Sequence, residues 1–126
     1  LTNTTIEKMG IAAVPKPIVI GKDVTPPSEN LDDDRLTDFN PREDGFDFYE
    51  SLEGMLVQVA NSITKSGRPQ DYGKLVVIPG NMETTTAVGG VKITETDFNS
   101  ERIILDIDDD KFVAKTGDQL TVGLYS

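Results

Sequence analysis

Four groups of side chains in this 126-residue chain have types and spacings that could do chemistry. Asp106, Asp108 and Asp110 alternate through Asp106-Ile107-Asp108-Asp109-Asp110, and on a strand they would share one face. Carboxylate oxygens of that kind suit Ca²⁺. The run is no EF-hand, because the sixth position from Asp106 is Lys111 rather than Gly and the twelfth is Gly117 rather than Glu. Lys65, Arg68, Tyr72 and Lys74 interleave bases with an aromatic ring, which is the chemistry of single-strand nucleic-acid grooves. Asp32-Asp33-Asp34 is a third acidic run; adjacent side chains diverge on regular backbone, so it is expected to be a solvated turn. Glu50 and Glu53 stand three apart on one helical turn, with no nucleophile, metal ligand or oxyanion donor close in sequence to make them an acid–base pair.

The totals narrow the chemistry further. The chain has no histidine and no cysteine, which removes thiolate nucleophiles, imidazole bases, disulfides and zinc–sulfur centres. No catalytic residue is therefore assigned, and the chain is expected not to be an enzyme. Its net charge is −10, with ten acids and two bases in residues 29–53. Residues 54–94 are mildly basic, with four bases and two acids, and residues 1–28 carry three bases and two acids. Since nucleic-acid affinity rests largely on Lys and Arg displacing counterions, any such binding is expected to be weak. Apolar runs are far shorter than a membrane span, so no membrane partner is expected. The opening at Leu1, with no signal-like segment, is expected of a piece of a longer chain.

The elements that would position these groups are mostly short strands. Pro15, Pro17, Pro26 and Pro27 hold residues 1–28 extended, as an arm or linker with Ile18-Val19-Ile20 docked on the body. Asn40-Pro41-Arg42-Glu43 has the form of a capping box opening a single helical turn. Phe46, Tyr49 and Leu52 then recur at helical spacing, and with Phe39 and Phe48 they are expected to plug the mouth of a barrel. Gly54 to Val59 alternates as a first strand, and 61–73 reads as a polar loop. Lys74–Ile78, Val91–Thr94, Ile103–Ile107, Lys111–Ala114 and Leu120–Tyr125 are further strand candidates separated by turn signals. Many short strands and little helix predict an all-β barrel or sandwich.

The run Asp47-Phe48-Tyr49-Glu50-Ser51-Leu52-Glu53-Gly54-Met55-Leu56-Val57 resembles the non-catalytic segment ahead of the catalytic domain in large secreted bacterial nucleases of the endonuclease/exonuclease/phosphatase superfamily. Pro26-Pro27, Asp32-Asp33-Asp34, Gly89-Gly90 and Asp97-Phe98-Asn99 with Glu101-Arg102-Ile103 extend the likeness over most of residues 17–126. Ser100 stands where those proteins often have Pro. The resemblance implies an OB-like β-barrel over residues 29–126 with one short helix and the extended arm ahead of it. It also implies an accessory module, secreted or at the cell surface, that orients or weakly binds nucleic acid for a separate catalytic domain. A monomer touching the neighbouring domains of its parent chain is expected. The alternative is a purely structural inter-domain module, stabilised by Ca²⁺.

Overall fold

The structure, a computed structural model, describes residues 4–66, 73–82, 86–107 and 112–125, with side chains through 121 in the last segment. It is mostly sheet. In chain order come β1 (Ile18–Ile20), α1 (Gly45–Glu50), β2 (Leu56–Thr64), β3 (Lys74–Ile78), β4 (Ile103–Asp106) and β5 (Gln119–Tyr125), the five strands forming one sheet.

β2 is the spine. Its inward positions are Val57 and Val59, then Ser62 and Thr64, so the alternation slips by one residue between the pairs. The slip is a bulge: Val59 faces Val122 of β5, whereas Ser62 faces Leu120. Asn61 supplies the turn, with φ of 45°, a conformation that Asn tolerates better than most residues. The extra residue keeps both halves of the long strand facing the core. This corrects the expectation of a loop from 61 onward; Asn61 is a bulge residue, and the strand runs on to Thr64.

β5 lies antiparallel along the whole of β2. The other edge of β2 is shared. β1 runs parallel to its first half, pairing Ile18 with Val57 and Ile20 with Val59, and β3 takes its far end, pairing Ile63 with Ile78. The two neighbours meet at the bulge, where Gly80 N–H donates to the Ala60 carbonyl and Asn81 Nδ2 donates to that of Gly21. β4 pairs with β3 in turn, Lys74 opposite Asp106 and Val77 opposite Ile103. Among the described residues β4 has no second neighbour, so the sheet is open.

Two expected strands are not formed. Residues 91–94 make only isolated bridges, at Val91 and between Thr94 and Asp97, and 112–114 follow no ladder, although Ala114 is buried in the core. Residues 92–94 are exposed and lack the buried face that a short strand needs, whereas 112–114 turns Phe112 and Ala114 to the core but has no partner strand among the described residues. Nor does the Asn40 capping box open a helix. Asn40 Nδ2 donates to Glu43 Oε2, residues 41–43 form a turn, and the helix begins at Gly45.

Phe48 and Leu52 seat the helical turn on the sheet, in a core with Ile20, Val57, Val59, Leu75, Val77, Ile103 and Leu105. Phe48 meets Tyr49 edge-to-face, with ring centroids 5.1 Å apart. Phe39 and Phe46 are exposed, so the expected plug is smaller than five residues. Ahead of β1, residues 4–16 carry no secondary structure and are exposed, while Ile18–Ser28 is stitched in: Phe98 N–H donates to the Ser28 carbonyl and Ser100 Oγ to that of Pro27.

At the open end of the β3–β4 ladder, Gly73 has φ of 73° and accepts a hydrogen bond from Ile107 N–H at 3.0 Å. A Cβ there would collide with the Ile107 carbonyl. Gly73→Ala is expected to lower unfolding free energy by about 1–3 kcal/mol through the disfavoured backbone alone, measured by urea denaturation; a midpoint within error of the parent would refute the close approach.

Candidate cation-binding loop

The segment from Asn30 to Asp44 wraps itself around its own carboxylates. Asp32 Oδ1 accepts the amides of Asp34 and Leu36, at 3.2 and 3.0 Å. Asp34 accepts those of Thr37 and Asp38, at 3.0 and 2.5 Å. These bonds hold Arg35 and Leu36 in left-handed conformation, φ 64° and 61°, which neither side chain favours. The loop then feeds α1. Its first amides, Gly45 and Phe46, donate to the carbonyls of Asn30 and Leu31 at 3.1 Å, which satisfies donors that a helix start leaves open. Asp44 stands at the N-cap without capping; its Oδ1 instead accepts Asn30 Nδ2 at 2.6 Å.

This arrangement brings Asp32, Asp34 and Asp44 together, with one carboxylate oxygen from each lying within 4.8 Å of the others. Asp33 is exposed and outside the group. Asp44 is only 3% exposed. Burial pushes its carboxyl above the ordinary range, and the charges of Asp33, Asp47, Asp34 and Asp32 push it further the same way. Asp34 moves oppositely, held low chiefly by the Thr37 amide that it accepts. Oxygens spaced like this can share a hard cation, since Ca²⁺ binds at 2.3–2.6 Å and completes its shell with carbonyls and water. The same carboxylates also cap their own loop: Asp32 Oδ1 spends both lone pairs on amides, which leaves its Oδ2 for a ligand, while each Asp34 oxygen takes one amide and keeps a further lone pair.

The residues singled out in the sequence fall elsewhere. Asp106 is exposed on β4 directly opposite Lys74 of β3; Asp108 and Asp110 lie outside the described residues. Lys65 is half-buried, its Nζ donates to the Gly89 carbonyl at 3.3 Å, and desolvation holds its ammonium below the usual pKa. Lys74 is exposed, while Arg68 and Tyr72 lie outside the described residues. Glu50 and Glu53 are both exposed and belong to no cluster of acids among the described residues. Sequence reasoning missed Asp44 because its partners lie ten and twelve residues back; the usable signal was the i, i+2 spacing of Asp32 and Asp34.

Glu101 was missed as well. Two residues ahead of β4, it shares the parity of Ile103 and Leu105 and is fully buried, and neither carboxylate oxygen has a hydrogen-bond donor among the described residues. Its place on the inward side of an apolar alternation was the readable sign.

A family model described as "Domain of unknown function (DUF8508)" matches residues 19–124. The chain belongs to the DUF8508 family. The match begins within β1 and ends within β5, so it takes in all but the first and last residues of the sheet of this DUF8508 domain. No curated protein and no solved structure matches it.

The raised Asp44 pKa fixes the sign of a pH effect. Between its ordinary pKa of 3.8 and its higher folded value, the folded state holds more of the proton, so this group's contribution falls as pH rises. Asp44→Asn keeps the amide-accepting oxygen and removes the charge. In chelator, its melting temperature is expected to exceed the parent's at pH 7, with the difference shrinking toward pH 3. A difference independent of pH would show that the Asp44 charge is not what destabilises the loop.

Proposed function

We propose that this DUF8508 domain is a non-catalytic module that spaces and orients neighbouring parts of a longer chain. The sequence resemblance points to a secreted or surface-attached nuclease as that chain, and to an OB-like barrel as the fold. A closed barrel would need β4 to find a second strand neighbour. One observation carries the functional reading: the path into the sheet and the path out of it lie at one end of β2. β1 enters beside Val57, and β5 leaves beside Leu56 on the opposite edge. Two strand spacings separate those paths, roughly 10 Å.

A module built this way holds its flanking segments close. With a fluorescent donor fused ahead of residue 1 and an acceptor after 126, energy transfer is expected to exceed that across a 126-residue Gly/Ser linker. Such a linker has a root-mean-square span of about 60 Å. Transfer equal to the linker's would sink the spacer reading.

Calcium, as a stabiliser of this module, has its best-formed oxygen set at Asp32, Asp34 and Asp44. At a Ca²⁺ concentration ten times Kd, mass action adds about 1.4 kcal/mol. In a domain of this size that corresponds to a melting shift of roughly 3–6 °C. Asp44→Asn is expected to abolish the shift. A parent midpoint unmoved by millimolar Ca²⁺ would assign these carboxylates to holding their own loop.

Weak presentation of single-stranded nucleic acid is the second reading, and the exposure of Lys74 favours it. Against it stand the tethered Lys65 ammonium and the acid opposite Lys74. An amide ¹H–¹⁵N titration with oligo-dT at low salt decides. Shifts at Lys65 and Lys74 that vanish with salt, and with combined neutralisation of Lys65, Arg68 and Lys74, would establish presentation. A silent spectrum leaves the spacer alone.

A further inference from the structure

A cavity of about 290 Å³ lies between the 36–39 stretch and α1, lined by Leu36, Thr37, Asp38, Phe39, Asp47 and Glu50. Three of these six are acids and none is a base; Arg35, next in the chain, stays outside the lining. Leu36 and Phe39 are 67% and 64% exposed. Single exposed apolar side chains are ordinary, but two at one cavity, set among carboxylates, make a surface that is apolar and acidic together.

Asp47 anchors the acidic part. It is 5% exposed, and its Oδ2 accepts the Asn40 amide at 2.5 Å, which leaves Oδ1 for a ligand. Asp38 and Glu50 are exposed. These three carboxylates do not gather within 4.8 Å of one another as Asp32, Asp34 and Asp44 do. Such a spread suits neither a metal ion nor a compact ammonium, and it does suit the planar five-donor fork of a guanidinium. Leu36 anchors the apolar part. Its backbone is left-handed, φ 61°, where Gly or Asn would sit with less strain, yet a leucine stands there with most of its side chain in water. The wider field agrees in sign: ten acids and two bases in residues 29–53 draw cationic segments and turn polyanions away.

We propose that this cavity docks a protein segment carrying an arginine beside an apolar residue. The guanidinium enters among Asp38, Asp47 and Glu50, and the apolar neighbour covers Leu36 and Phe39. Each half of the surface then has its complement, and charge alone would leave Leu36 and Phe39 in water. The inference goes beyond the spacer reading and does not rest on it. Fused-reporter energy transfer equal to the linker's would sink the spacer and leave this docking surface standing.

The test is an amide ¹H–¹⁵N titration of the 126-residue chain at low salt with a capped Gly-Arg-Leu-Gly peptide. Two controls carry citrulline for the arginine or glycine for the leucine. Saturable shifts at 36–39 and 47–50 are expected with the first peptide. Binding should weaken by about threefold or more with citrulline, and also when the leucine is removed. Phe39→Ala and Glu50→Gln, both at exposed positions, should each weaken it without moving the melting temperature. Leu36→Gly should weaken it while the protein melts no earlier, because glycine accepts the left-handed backbone, so loss of contact is separated from loss of fold. Equal affinity for the citrulline peptide, or shifts confined to residues 30–34, would overturn the proposal. So would the same shifts on concentrating the chain without peptide, which would seat a second copy in the cavity.

Discussion

The bulge at Ala60–Asn61 is the constraint on which the rest depends. A nine-residue strand that carries three neighbours must serve two of them from one edge, and β1 and β3 approach that edge from opposite directions. Something has to separate them while keeping the inward face inward. One extra residue does both, because it shifts the side-chain parity and turns the backbone where the two strands meet. The close fit of Gly80 against Asn61 and of Gly21 against Pro79 follows. A Cβ on Gly21 would lie 2.6 Å from the Pro79 Cβ, so the meeting of β1 and β3 tolerates no side chain there.

Polar groups beyond the bulge show how fully this fold satisfies its interior where it chooses to. Ser62 and Thr64 replace valines on the inward face, and each hydroxyl donates to a carbonyl across the sheet, of Leu120 and Lys115 respectively. Satisfied hydroxyls of this kind cost little and pin register. Glu101 breaks the pattern. A carboxylate at zero exposure with no donor opposes folding, and apolar residues of similar volume would suit the same position better.

What the sequence disclosed followed the strength of local signals. Lys74–Ile78 was legible to the residue because an apolar run ends in Pro-Gly, and Ile103–Asp106 nearly so because a turn precedes it. Asn61 was misread, since the polar residues that mark loops also populate bulges, and only the partner strand distinguishes the two. Asn40 misled for a related reason: its amide had a nearer partner in Glu43 than any helix start. Site residues were harder still. Asp32 and Asp34 meet Asp44 only because Asn30 and Leu31 lend their carbonyls to α1, a tertiary arrangement that no periodicity announces.

Electrostatics ties these observations together. Acids crowd one side of the domain, through the 30–44 loop, the first turn of α1 and Glu101 behind it, and few bases stand among them. Two of the bases expected to meet nucleic acid are spent or opposed: Lys65 is bound to a carbonyl in a desolvated setting, and Lys74 faces Asp106 across the ladder. Long-range steering by such a field draws cations and basic segments and turns polyanions away, most strongly at low salt. The loop carboxylates end at Asp44, next to Gly45, where the carbonyls of Asn30 and Leu31 hold the start of α1. A cation held by Asp32, Asp34 and Asp44 would relieve the repulsion that adds to burial in raising the Asp44 pKa.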